Sequence, residues 1–244
     1  MWIVAPGWFD DIVAPGRELR RSANGVLSAL SSHEGGSRYD GRAALYDRLV
    51  SNSFYNRRVW RSSVASYATF AAAAVASGDG PMLDVGCGTA VFTADAYRVA
   101  ERPLVLVDRS LGMLTRAAQR LELRSQDSSR IVLVQADLLD LPFRPASFST
   151  VASFGVLHLF ADVVTVLDRL QAQLAPGGSL YATSLVSQTA ISKGVLMLLH
   201  LGGEAASPRR ASELEVLAGS ALGDEFSMRT EGSMAFLSYH PRAR

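Results

Sequence analysis

Apolar and polar positions form blocks along the chain, and the blocks change character near residue 80. Between 42 and 76, Leu45, Leu49, Val59, Val64, Tyr67 and Phe70 are separated by polar residues, and an alanine run closes the stretch before Gly78. This spacing predicts one or two helices. From residue 82 onward, short apolar runs take turns with longer amphipathic ones. Runs at 82–85, 104–108, 131–135, 150–154 and 179–184 read as strands, and stretches at 90–100, 110–124 and 162–174 read as helices. Strands separated by helices of this length predict βαβ units and a parallel sheet. Beyond 187 the pattern weakens into an apolar stretch at 191–201 and a helical one at 212–221. Two strand-like runs follow, 226–230 and 234–239, close enough for an antiparallel hairpin on the sheet.

Ahead of these blocks, residues 1–40 are rich in Gly, Ser and Pro, with a loop signal in the stretch from His33 to Arg38, and predict an irregular arm. The expected organisation is an N-terminal arm and helical cap over 1–77. An α/β domain over 78–244 follows, with a helical insertion at about 187–221. A chain of 244 residues suits one such domain with an accessory segment. Apolar residues make up 48% and charged residues 19%, so the chain can bury a sizeable core. The net charge of +1 gives no footprint for nucleic acid or an anionic membrane, and favours a small or uncharged partner. Cys87 is the lone cysteine, which excludes an intramolecular disulfide and a cysteine-based metal cage; no metal is expected. The N-terminus lacks a basic leader region and no run of 18 apolar residues occurs, so the expectation is a cytoplasmic protein without an integral membrane segment. A homodimer is compatible with the sequence, which leaves the oligomeric state open.

The densest chemistry follows the first strand. Asp84, Gly86 and Gly88 bracket Val85 and Cys87 directly after an apolar run, and a helical stretch comes next. Strand, glycine turn and helix form the arrangement in which backbone N–H groups face a ligand. Asp108 closes the second strand 20 residues after Gly88, in reach of a ribose bound over the turn. A dinucleotide site looks similar, but its pattern asks for a third glycine at position 91, where Val91 stands. A third acid, Asp137, follows the strand at 131–135.

These pieces resemble class I S-adenosylmethionine-dependent methyltransferases. Asp84-Val85-Gly86-Cys87-Gly88-Thr89 resembles their glycine-rich first motif. Val107-Asp108-Arg109-Ser110 is similar to the ribose-binding acidic motif, with Met113 at the usual offset in the following helix. Ala136-Asp137-Leu138, with Leu141-Pro142-Phe143, resembles the adenine-contacting motif; Phe148 to His158 and Leu174 to Gly178 resemble the fourth strand and the turn before the fifth. Upstream, Tyr46-Asp47 and Arg58-Val59-Trp60 are similar to the segment preceding the core in quinone-biosynthesis (ubiquinone and menaquinone) methyltransferases. The resemblance implies a seven-stranded, mostly parallel α/β sheet of Rossmann-like form with a terminal antiparallel hairpin and a helical cap. It also implies S-adenosyl-L-methionine as cofactor. Asp84 then organises the turn and the amino-acid end, Gly86, Cys87 and Gly88 form the cradle, and Asp108 takes the ribose hydroxyls beside Arg109 and Met113. Asp137 and Leu138 frame adenine, and Phe154 sits beside the methyl.

His158 follows the fourth strand, where its imidazole is a candidate for accepting a proton from the acceptor. Tyr39 and Tyr46 are candidates for a lid over either ligand. The fourth strand carries Ser153-Phe154-Gly155-Val156 instead of the Asn/Asp-Pro-Pro-aromatic motif of amino-methylating enzymes. That points away from nucleic-acid amino groups, and the apolar cap and insertion stretches point to a small hydrophobic or aromatic acceptor methylated on oxygen or carbon. Two other readings stay open: an NAD(P)-dependent oxidoreductase, and a non-catalytic, methyltransferase-like partner subunit. Each motif also has a plain structural alternative, a tight turn for the glycines and helix N-caps for Asp108 and Asp137.

Overall fold

The computed structural model describes residues 6–22, 24–30, 59–123 and 130–241. Its centre is a stack of buried strands. The apolar runs form β3 (Met82–Val85), β4 (Leu104–Asp108), β5 (Ile131–Gln135), β6 (Phe148–Ser153) and β7 (Leu174–Leu185). Strands covered on both faces need continuous apolar side chains, and β3 and β5 are buried at every position. Helices α3 (Ala94–Val99), α4 (Leu111–Arg120) and α5 (Val163–Gln171) connect them, and α2 (Val64–Ala76) precedes them. Side-chain caps set three of the starts: Ser63 Oγ accepts from Ser66 N, Ser110 Oγ from Met113 N, and Asp162 from Thr165 N. After β7 come α6 (Ala190–Leu201), α7 (Ala211–Leu222), β8 (Phe226–Glu231) and β9 (Met234–Tyr239), the last two forming the antiparallel hairpin that the sequence predicts.

Among the described residues the sheet has nine strands, in the order β1-β2-β5-β4-β3-β6-β7-β9-β8, where seven were expected. The two additions, β1 (Arg20–Arg21) and β2 (Leu27–Ser28), come from the arm that the sequence predicts to be irregular. Part of that arm is ordered for a tertiary reason. Helix α1 (Gly7–Ile12) buries Phe9 edge-on against Phe143 at 6.3 Å. Arg144 N donates to Ile12 O, Arg17 pairs with Asp140, and β2 runs parallel to β5 with Leu27 opposite Val134 and Ser28 opposite Gln135. A two-residue strand has no periodicity to read; its order comes from the edge it covers.

The sheet separates two apolar layers. Leu83, Val85, Val105, Val107, Val132 and Val134 face α5 and α7, where Leu167, Leu170, Leu214 and Ala218 complete the packing. Met82, Leu104, Leu106, Ile131 and Leu133 face the other way, toward Tyr67 and Ala71 of α2, Tyr97 of α3 and Leu114 of α4. Strand alternation therefore sends the carboxylate of Asp84, two residues after Met82, into this second layer. At the opposite, amino end of β3 and β6, the Arg102 guanidinium reaches Gly80 O, Val75 O, Thr150 Oγ1 and Ser149 Oγ, fastening α2 to the sheet.

Candidate active site

The carboxyl ends of β3, β4 and β5 bring the sequence-predicted acids together. After Val85 the chain turns at Gly86 with φ +76, and Gly86 N and Cys87 N both donate to Val107 O at 2.8 and 3.0 Å. A side chain at Gly86 has no room, because a Cβ there meets Val156 Cγ2 at 2.5 Å. Gly88 differs: its φ is +54, and a Cβ built on it meets nothing within 4 Å. The first glycine is required by packing; the second faces open space. Ala90 also has positive φ, at 55°, so helix α3 starts at Ala94 rather than at 90.

Asp108 Oδ2 accepts from Gly88 N at 2.9 Å and Oδ1 from Ser110 N at 2.8 Å, which ties the β4 tip to the glycine turn. Asp84 is 1% exposed. Its Oδ2 accepts from the Tyr97 hydroxyl at 2.7 Å, while Oδ1 has no hydrogen-bond partner among the described residues. Burial raises its pKa to about 7 and the neighbouring Asp108 adds to the rise, whereas the Tyr97 hydrogen bond opposes it. Burial and the same two carboxylates hold the Cys87 thiol well above its ordinary value, so it stays protonated and unreactive.

On the β5 side, Asp137 Oδ2 accepts from Arg109 Nη1 at 2.8 Å and Oδ1 from Leu139 N at 2.9 Å; Leu138 is buried between them in sequence. Met113 is buried on α4 with its N–H held by Ser110 Oγ. Beyond β6, Phe154 packs at 5.8 Å from Tyr67 and 6.1 Å from Phe70, in an aromatic group that also takes in Phe92 and Phe236. Gly155 N donates to Thr183 Oγ1 at 2.7 Å. His158 lies on the 3₁₀ turn Leu157–Leu159, with Nδ1 buried and without a hydrogen-bond partner among the described residues. Burial, and then the Arg209 charge, lower its pKa to about 4, so the ring is neutral at pH 7. Tyr39 and Tyr46, with His33, lie outside the described residues.

Sequence reasoning finds the acids and glycines but not their partners. Tyr97, Val156, Thr183 and Gln135 each act across the fold, and nothing in their local sequence marks them. Tyr97 lies 13 residues from Asp84, on a helix whose register against the sheet is settled only by packing.

Residues 83–182 match the model of the family described as methyltransferase domain. An uncharacterized methyltransferase of Bacillus subtilis, YodH, is 36% identical over 107 residues, covering 44% of this chain and 44% of the relative. The demethylmenaquinone methyltransferase of Staphylococcus carnosus is 34% identical over 138 residues, covering 54% of this chain and 52% of that enzyme. The chain thus spans about half the length of these curated relatives. Among solved structures, human N-acetylserotonin methyltransferase in complex with SAM superposes with a TM-score of 0.61 at 16% identity, over 83% of this chain and 56% of that one. Glycine turn, strand-tip acids and sheet order agree with these likenesses: residues 83–182 are similar to a methyltransferase domain, and the chain has the Rossmann-like α/β fold of the solved methyltransferases.

Proposed function

We propose that this chain transfers a methyl group from S-adenosyl-L-methionine to an oxygen or carbon of a small hydrophobic or aromatic acceptor. The observation that carries the reading is the glycine turn. Gly88 opens to free space between two strand-tip carboxylates, one of which, Asp84, has a buried oxygen without a partner. Such a cradle fits the cofactor, with Asp84 toward its ammonium end, Gly86, Cys87 and Gly88 along its length, and Asp108 at the ribose. Arg109, Met113, Asp137 and Leu138 frame the adenine side, and Phe154 borders the reacting end. When bound, S-adenosylmethionine supplies an electrophilic methyl on a sulfonium sulfur.

The chain's own part is alignment and exclusion of water, effects that together reach roughly 7–11 kcal/mol in well-oriented reactions. The aromatic group of Tyr67, Phe70, Phe92 and Phe154 makes the acceptor side apolar. His158, neutral at pH 7, is the group we assign to accept a proton from an acceptor hydroxyl; its lowered pKa leaves the ring unprotonated and available but makes it a weak base. No helix among the described residues is long and apolar enough to cross a membrane. We read the protein as cytoplasmic, acting on a small molecule rather than nucleic acid, with a homodimer as the assembly to test by sedimentation.

Calorimetric titration with S-adenosylhomocysteine and with NAD tests the cofactor, and a panel of phenols, quinones and fatty acids tests the acceptor. Heat from the first ligand and turnover within the panel are expected. Binding of NAD alone, or turnover only on peptide or RNA, overturns the reading.

A further inference from the structure

A hydrogen-bond chain joins the N-terminal strap to the back of the β4 tip. Leu30 N donates to Ser28 Oγ at 3.3 Å, Ser28 Oγ donates to Gln135 Oε1 at 3.0 Å, and Gln135 Nε2 donates to Arg109 O at 3.1 Å. The direction of this chain is fixed by chemistry. A backbone carbonyl only accepts, so the Gln135 amide must turn its nitrogen to Arg109 and its oxygen to the strap, where a hydroxyl is the group available to donate. Gln135 is 4% exposed and leaves little space for another arrangement.

What Gln135 holds matters more than Gln135 itself. The carbonyl of Arg109 and the N–H of Ser110 belong to one planar peptide unit, so fixing the first fixes the direction of the second. That N–H donates to Asp108 Oδ1 at 2.8 Å. The other oxygen of Asp108 is held by Gly88 N from the glycine turn. The orientation of the carboxylate is therefore set from two sides, by the turn and by the 109–110 peptide. Register supports the coupling, since Asp108 and Gln135 stand directly opposite each other on β4 and β5, and Ser28 stands opposite Gln135 on β2.

We propose that Ser28 and Gln135 are positioning residues for the cofactor ribose: the strap, acting through the 109–110 peptide, presents Asp108 to the ribose hydroxyls. This assignment rests on the reading of Asp108 given above. It gives β1 and β2, the strands beyond the expected seven, a task in the site as well as at the sheet edge.

The test uses the full chain and two ligands, S-adenosylhomocysteine and its 2′-deoxyribose analogue, titrated calorimetrically. Ser28→Ala keeps the strand pairing, which is backbone, and removes only the hydroxyl. It is expected to weaken S-adenosylhomocysteine about three- to tenfold, the ordinary effect of one lost hydrogen bond, while the deoxy analogue changes little. Ser28→Thr restores binding, and Gln135→Leu reproduces the Ser28→Ala pattern. Unchanged affinity in Ser28→Ala, a loss shared equally by both ligands, or a Ser28→Thr variant as impaired as Ser28→Ala overturns the assignment. If Gln135→Leu does not fold, the two Ser28 variants decide alone. Absence of S-adenosylhomocysteine binding by the unmodified protein overturns the cofactor reading and this assignment with it; binding that Ser28→Ala leaves intact removes this assignment only.

Discussion

Tyr97 donates its phenolic hydrogen bond to Asp84 Oδ2 at 2.7 Å inside the helix-covered layer of the sheet, while the other carboxylate oxygen is buried without a hydrogen-bond partner among the described residues. The pair explains how an acid survives at 1% exposure on a strand otherwise apolar. A buried carboxyl that keeps one good partner is tolerated, and its proton becomes sensitive to surroundings. Tyr97→Phe is expected to cost about 1 kcal/mol at pH 5, where Asp84 is neutral, and up to about 3 kcal/mol at pH 8.5, where the hydroxyl bonds a charged group. Urea denaturation at the two pH values checks this; equal costs contradict the buried charge.

Burial of Asp84 sets a pH trend. The folded-state pKa of Asp84 is raised from 3.8 to about 7, so the folded protein binds more protons than the unfolded chain between those values. The contribution is fully present below pH 3.8 and is lost as pH rises through 7. Asp84→Asn removes this dependence. Stability of the unmodified protein should therefore fall from pH 5 to pH 8 more than that of Asp84→Asn, and matching slopes in thermal melts would contradict the shift.

Gly86 and Gly88 are adjacent in motif but not in what they need. Gly86→Ala places a methyl 2.5 Å from Val156 Cγ2 at φ +76, so both overlap and backbone strain act, and a loss of about 2–4 kcal/mol is expected. Val156→Ala in the same chain should recover part of it. Gly88→Ala meets nothing and strains only the backbone at φ +54, for about 1 kcal/mol. Its methyl instead enters the cradle. Gly88→Ala is expected to melt near the unmodified protein yet lose S-adenosylhomocysteine binding at least tenfold; a folded Gly88→Ala with full affinity would place the ligand elsewhere, and an unfolded one would contradict the open space at its Cβ.

These contrasts show how far the sequence reaches. Short, mostly apolar runs announce β3, β4, β5 and β9 to the residue, because strands buried on both faces concentrate apolar side chains between polar turns. β7 begins at Leu174 although its first residues, Ala175-Pro176-Gly177-Gly178, read as a turn. A register shift between Phe148 and Thr150 absorbs that irregular start, with Gly177 at φ +73. Helix α3 is shorter than its pattern because the turn that makes the cradle uses up residues 90–93. Asp84, Asp108 and Asp137 are legible because their chemistry is local to strand tips. Ser28 and Gln135 are not, because a hydrogen bond spanning 107 residues leaves no trace in spacing.

Thr183 ties β7 to the turn that follows β6. It is 1% exposed on β7, and its Oγ1 accepts the Gly155 N–H at 2.7 Å, holding the turn that follows Phe154. Thr183→Val keeps the shape and orphans that N–H, at a cost of about 1–3 kcal/mol. If the acceptor sits beside Phe154 as proposed, kcat should fall while the Kd for S-adenosylhomocysteine stays within about twofold. A loss confined to cofactor binding would reverse this division of the site.

His158 offers the sharpest pH argument. Burial and Arg209 lower its pKa from 6.5 to about 4, so the unfolded chain takes up a proton between those values that the folded protein refuses. Stability must then drop as pH falls from about 6.5 toward 4, opposite in sign to the Asp84 trend, so over that window the two slopes largely cancel in the unmodified protein and the His158 slope is read by comparing Asp84→Asn with and without His158→Gln. The same shift bears on activity. A neutral ring throughout the range from pH 5.5 to 8 gives no falling acid limb near pH 6.5 in kcat, as an ordinary histidine base would. His158→Gln keeps a polar side chain of similar reach and cannot take a proton. If His158 accepts the acceptor's proton, kcat for a phenol falls about 10²- to 10⁴-fold with cofactor affinity unchanged. If a rate profile shows an acid limb at 6.5 that His158→Gln leaves in place, the proton goes to another group.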